Sequence, residues 1–298
     1  MGTFMGHVLP GSFFLFFGIW WTIQISARYY RCKYSPKGPA YRSTVTFLVP
    51  TRCCGDWQME GYAKLLLCSF GLVMEIITGF NSSGSFAYMG NGQHATMFFF
   101  FGFCGLVDIL LHHKVPLPKH SDYVISVMAT FVEGLLFKFH LHGRTDLDVQ
   151  VHTLLVYAIF IQCIVVVSEV SWPTNVMFIY GRAFLTLLQG TWFYQVAFIL
   201  YNPFPDAAKW DGEDHMQIML STIFFAWHMM AIFIFMLLVA LVTSCYHRRR
   251  ASGKSQAYRD DEMAMERLIT KDLNGHTMLA LNQDSDSDLE FQQPVNKS

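Results

Sequence analysis

Charge is what this sequence has least of. Only 14% of its 298 residues are Asp, Glu, Lys or Arg, against about 25% in soluble domains. The net charge of −1 gives no global field for nucleic acid. Catalytic signatures are missing too. No HExxH, no CxxC pair and no GxSxG occurs, so no metalloprotease, thiol-redox or serine-hydrolase motif is matched. No repeat and no separate soluble domain stands out. The first apolar run lacks a basic segment before it, so it reads as an uncleaved anchor rather than a cleavable signal peptide.

What the chain has instead is apolar length. It is 53% hydrophobic and 16% aromatic, and seven runs approach the roughly 20 residues that span a hydrocarbon core. They lie at about 8–27, 62–80, 94–111, 122–140, 151–170, 176–201 and 216–245. Unpaired backbone groups are not tolerated in lipid, so each run is expected to be helical. The predicted fold is an all-α, seven-transmembrane-helix bundle over 1–246, followed by a disordered tail over 247–298.

Loop charges predict an orientation. Arg28, Arg31, Lys33, Lys37, Arg42 and Arg52 follow the first run, Lys114 and Lys119 the third, and Arg248, Arg249 and Arg250 the seventh. The connection at 81–93 has no Lys or Arg. Basic loops stay cytoplasmic, which puts the N-terminus lumenal or extracellular and the tail in the cytosol. The sequon Asn81-Ser82-Ser83 would then face the lumen as a glycosylation candidate. No cysteine falls in a lumenal connection, so no lumenal disulfide is expected.

Ionisable groups inside a membrane are costly and are functional candidates. In this topology they gather in the lumenal half. Glu133, His140, His152, His228, His94 and Glu75 form a candidate metal or proton site, with His7, His142, Gln189, Gln195 and His215 as secondary lining. Glu133 and His140 lie two helical turns apart on one face, and Gln189, Trp192 and Gln195 share another. Imidazole and carboxylate are ligands for a divalent metal such as zinc. Histidines also titrate near neutral pH and can relay protons. Interhelical hydrogen bonding is the bland alternative. Asp108 and His112 read as a local salt bridge, while Arg182, Lys64 and Lys138 read as snorkelling ends. In the tail, Ser252, Ser285 and Ser287 are phosphorylation candidates, and the three arginines suit anionic headgroups.

Several segments carry a resemblance. Gly6-His7-Val8-Leu9-Pro10-Gly11, His94-Ala95-Thr96-Met97-Phe98, Phe131-Val132-Glu133, Phe139-His140-Leu141-His142-Gly143-Arg144, Gln189-Gly190-Thr191-Trp192 and Trp227-His228 resemble the transmembrane protein 45 family over about 1–246. Gln93-His94 stands where some of its members carry two histidines. The resemblance implies a multi-pass protein of Golgi, endosomal or lysosomal membranes, reaching the plasma membrane in some settings, with no established catalysis. The expected function is therefore a multi-pass endomembrane protein with a lumenal-half His/Glu site. The alternatives are a membrane adaptor acting through its tail, a metal-dependent intramembrane lipid hydrolase, or a proton or metal transporter. Catalysis is left open, leaning to none. The expected partners are the bilayer and cytosolic proteins met by the tail, not nucleic acid.

Overall fold

The computed structural model describes residues 3–35, 39–51, 55–141, 143–206 and 208–283. Seven helices are found among them: α1 Phe4–Lys33, α2 Met59–Thr78, α3 Met89–His112, α4 Ser121–Phe139, α5 Asp146–Ser171, α6 Val176–Tyr201 and α7 His215–Gln283. A two-stranded hairpin, β1 Val49–Thr51 with β2 Gly55–Trp57, interrupts the connection from α1 to α2. Local chemistry starts several helices where they start. The Thr3 and Thr145 hydroxyls accept from Gly6 N and Asp148 N, and the Asn175 side chain accepts from Met177 N. Each satisfies a backbone donor that has no partner in the first turn.

Six helices are long and apolar enough to cross a membrane: α1, α2, α3, α5, α6 and the His215–Gly253 portion of α7. Helix α4 is the exception. Its 19 residues include Asp122, Glu133 and Lys138, spread so that no 18-residue stretch of the helix is free of any of the three. The expectation of seven spans thus becomes seven helices, six of which qualify.

The chain divides into two units, Met1–Cys245 and Tyr246–Ser298. Within the first, α2 packs on α3, α3 on α4, α4 on α5, α5 on α6 and α6 on α1. Helix α7 joins through side chains, with Ile232 and Met236 buried among Ile179, Ala183 and Leu187 of α6. Backbones meet closely where glycines face each other. A Cβ on Gly190 would stand 2.8 Å from Leu15 N and 3.1 Å from Gly11 O, and one on Gly105 would stand 2.6 Å from Gly61 O. Small residues of this kind let helices approach where lipid supplies no hydrophobic drive.

The second unit departs from the sequence expectation. A disordered tail was predicted from 247, whereas the helix continues to Gln283. The stretch 248–283 holds no proline and is rich in Arg, Lys, Met, Ala, Leu and Glu, all strong helix formers. Ser252 is exposed there, its hydroxyl donating to Arg248 O at 3.1 Å. Ser285 and Ser287 lie outside the described residues.

Gly190→Val tests the close α1–α6 contact. Its branched side chain would meet backbone, where no rotamer gives relief. Overpacking of this kind costs about 1–3 kcal/mol, read as a lower thermal midpoint in detergent. The same change at Gly253, which has open space around it, is expected to cost nothing, because valine is the better helix former of the two.

Candidate functional site

The bundle encloses a cavity of about 150 Å³. Gly6, His7, Pro10, Phe14, Phe17 and Trp21 of α1 all line it. It therefore follows α1 for roughly 22 Å at 1.5 Å per residue. Five expected site residues, Glu75, His94, Glu133, His140 and His152, line it together with His7. His228 does not. Its Nε2 lies 3.4 Å from Gln195 Oε1, and its ring stands edge-on to Trp192. Gln189 is buried and donates to Gln162 Oε1 at 2.8 Å. His215 is exposed at the start of α7. His142 lies outside the described residues.

A connected chain of polar groups occupies the end where α1 begins. His7 Nδ1 donates to Thr3 O at 3.0 Å, and His152 Nδ1 donates to Asp148 O at 2.9 Å. Both bonds reach back one turn along the ring's own helix. With each Nδ1 facing a carbonyl, each Nε2 is left as a lone pair, yet the two Nε2 atoms face each other at 3.5 Å. Both rings are buried. His152 Nδ1 also lies 2.8 Å from Asp148 Oδ1. That is a close contact rather than a directed bond, since the backbone oxygen takes the hydrogen, and Oδ1 has no donor of its own. Arg144 Nη1 binds Asp148 Oδ2 at 2.8 Å, while its Nη2 donates to His140 Nε2. His140 Nδ1 in turn donates to Gln93 Oε1. The nearby His94 Nδ1 meets Glu75 Oε1 at 3.2 Å.

This bonding limits metal chemistry. A ligating histidine needs a free ring nitrogen, and both nitrogens of His140 are engaged, one by a cation. Among the described residues, no three of His, Cys, Asp and Glu gather to hold one ion. Among the described residues, His7 and His152 point bare nitrogens at a common place.

Halfway along the cavity, Glu133 stands by itself. It is 2% exposed, and its Oε2 has no hydrogen-bond partner. Thr130, one turn earlier, spends its hydroxyl on Ser126 O at 2.9 Å.

The other end is ionic and was largely missed from sequence. Arg182 is buried and binds Glu169 Oε2 through Nε at 2.9 Å. Its Nη1 and Nη2 donate to Val45 O at 3.1 Å and Thr44 O at 2.8 Å. The guanidinium also lies 4.5 Å from the Trp21 ring centroid. Tyr123 donates to Glu169 Oε1 at 2.9 Å. Glu60 accepts from Trp20 Nε1 at 2.7 Å, Trp21 Nε1 at 2.9 Å and Phe47 N at 2.8 Å. Lys64 pairs with Asp108 Oδ2 at 2.8 Å. Three readings are corrected here. Arg182 and Lys64 do not snorkel, because carboxylates on neighbouring helices hold them inside. Asp108 pairs with Lys64 rather than His112, because α2 lies against α3 at Gly61 and Gly105. The available signal was charge balance within apolar runs, since acids and bases sit at matching depth on different helices.

Removing one partner of a buried ion pair leaves an uncompensated charge. Glu169→Gln is therefore expected to cost about 3–5 kcal/mol, read as a loss of monodisperse protein at elevated temperature. Glu75→Gln, at a partly exposed pair, should cost about 1 kcal/mol or less.

Comparison with known proteins sets the kinship. The profile described as "Family of unknown function (DUF716)" matches residues 120–241. Rat transmembrane epididymal protein 1 is 30% identical over 267 residues, covering 85% of each chain. Mouse transmembrane epididymal protein 1A is 30% identical with 83% of each covered. The human transmembrane epididymal protein 1 is 30% identical over 59% of this chain and 72% of its own length. These matches overturn the resemblance to the transmembrane protein 45 family, which rested on short motifs, whereas the matches to the rat and mouse proteins extend over most of both chains. The chain is a multi-pass transmembrane protein that belongs to the transmembrane epididymal protein 1 family, with a DUF716 segment running from just before α4 into α7.

Proposed function

We propose that this is a seven-span membrane protein whose bundle binds one proton between His7 and His152. The observation that carries the reading is the pair of facing Nε2 atoms at 3.5 Å, each ring having already committed its Nδ1 hydrogen to a carbonyl. Two lone pairs repel, and a single hydrogen between them turns the contact into an N–H···N bond. Asp148 supplies the adjacent negative charge. Every other polar or charged neighbour is accounted for. Arg144 is on Asp148, His140 is between Arg144 and Gln93, His94 is on Glu75, and the Tyr201 ring lies 5.1 Å from that of His7. The pair accepts one positive charge and disfavours a second. Golgi, endosomal and lysosomal membranes, with the plasma membrane, are the proposed locations.

The competing occupant is a divalent metal such as zinc. In its favour, both imidazoles donate to carbonyls in the manner of metal-bound histidines. Against it stands the lack of a third ligand among the described residues. Histidine-labelled protein in bilayers at pH 6 separates the two by nitrogen NMR. The expected result is one protonated and one bare Nε2 coupled through a hydrogen bond, absent in His7→Gln. Two bare Nε2 atoms at that pH, or an equivalent of zinc retained through gel filtration, would overturn the proton reading.

We further propose that the N-terminus and the 79–88 connection face the lumen, which the basic loops support. The side-chain oxygen of Asn81 accepts from Ser83 Oγ at 2.6 Å in an exposed turn, leaving its amide nitrogen for glycan attachment. Protein made in cells should shift in mobility on glycosidase treatment, and Asn81→Gln should not. An unshifted wild-type band accompanied by glycosylation of a sequon engineered near Lys114 would reverse the orientation.

A further inference from the structure

We propose that the cavity binds a small lipophilic amine, its ammonium held by Glu133 and its apolar body lying among the phenylalanine rings of the bundle. Glu133 is buried, lines the cavity and has a carboxyl oxygen with no partner. A buried carboxyl left alone is costly, and every other acid in or beside the cavity already has its cation or donors. Glu75 has His94, Asp108 has Lys64, Glu169 has Arg182, and Glu60 has two indoles and a backbone amide. The cavity's two cations, Lys64 and Arg182, are spent on those acids. Apart from the histidine pair at the cavity's end, what remains among the described lining residues is one uncommitted acid and no uncommitted base, so charge complementarity calls for a cation brought in by a ligand.

The walls specify the rest of that ligand. Phe13, Phe14, Phe17, Phe98, Phe101 and Phe137 line the cavity. Aromatic faces attract organic ammonium groups and accept apolar bodies. The cavity's volume of about 150 Å³ is drawn out along α1, which favours a slim ligand over a bulky one. A primary amine on a short arylalkyl chain therefore suits it better than a large lipid or a metal ion. A neutral amine entering from the bilayer can collect its proton on site. The O–H bond of a protonated Glu133 breaks, an N–H bond forms, and the ion pair stays behind with no other reactant needed. This inference does not rest on the histidine pair, which lies at the cavity's end.

The probes are phenethylamine and its neutral isostere 2-phenylethanol, titrated into full-length protein in nanodiscs and followed by thermal midpoint. The amine is expected to raise the midpoint saturably and to bind about tenfold or more tighter than the alcohol, the range of a charge-assisted bond. Glu133→Gln should weaken the amine by that factor while leaving the alcohol unchanged, which also shows that the cavity still forms. Glu133→Asp keeps the charge and should weaken the amine less than Glu133→Gln does. Equal binding of both probes, or amine binding untouched by Glu133→Gln, would overturn the proposal. Loss of the histidine proton signal in His7→Gln with amine binding intact would leave it standing.

Discussion

The ion pair between Arg182 and Glu169 organises more of this molecule than any other contact. From one guanidinium, α6 reaches α5 through the carboxylate, the α1–α2 connection through the carbonyls of Thr44 and Val45, and α1 through the face of Trp21. A connection between spans would ordinarily lie outside the bundle, because its backbone polar groups need partners. Here Val45 and Phe47 are each 5% exposed, and the partners are supplied from inside. Arg182 takes two carbonyls and Glu60 takes the Phe47 amide. The buried charges thus give the loop a polar lining that lipid could not.

Polar groups in this bundle fall into three levels with different bonding economies. At the Arg182 level, acids and bases are matched and saturated. At the His7 level, neutral rings are threaded between Asp148, Arg144 and Gln93, with one junction short of a hydrogen. Between them stands Glu133 without a counter-charge. Unsatisfied polar groups are expensive where water is absent. Among the described buried oxygens without a partner, that of Glu133 borders the cavity, whereas those of Tyr41, Ser43, Gln58 and Gln189 lie elsewhere.

Much of this was legible from the chain, and the remainder was hidden for specific reasons. Apolar run length found all seven helices, because backbone satisfaction leaves few choices in lipid. The depth of each ionisable residue brought Glu75, His94, Glu133, His140, His152 and His7 to one cavity without knowledge of any contact. Rotation about each helix was not legible. His228 sits at a suitable depth, but its ring meets Gln195 and Trp192 instead. Pairings across helices were equally hidden. Asp108 has His112 four residues on, yet it bonds Lys64, which is 44 positions away in the chain. The expectation of disorder from 247 rests on polar composition, whereas the described part of that stretch is helical to Gln283.

The pairing of Arg182 with Glu169 also bears on how the chain is made. The two residues are separated by a short turn near Pro173, so the fifth and sixth helices can enter the bilayer as a hairpin that carries its own neutralisation. The earlier segments have no such independence. The carbonyls of Thr44 and Val45 meet Arg182, on a helix not yet translated when they emerge, whereas Glu60 finds its donors in Trp20, Trp21 and Phe47. The connection after the first helix therefore gains part of its polar lining only when a residue from the second half of the polypeptide arrives.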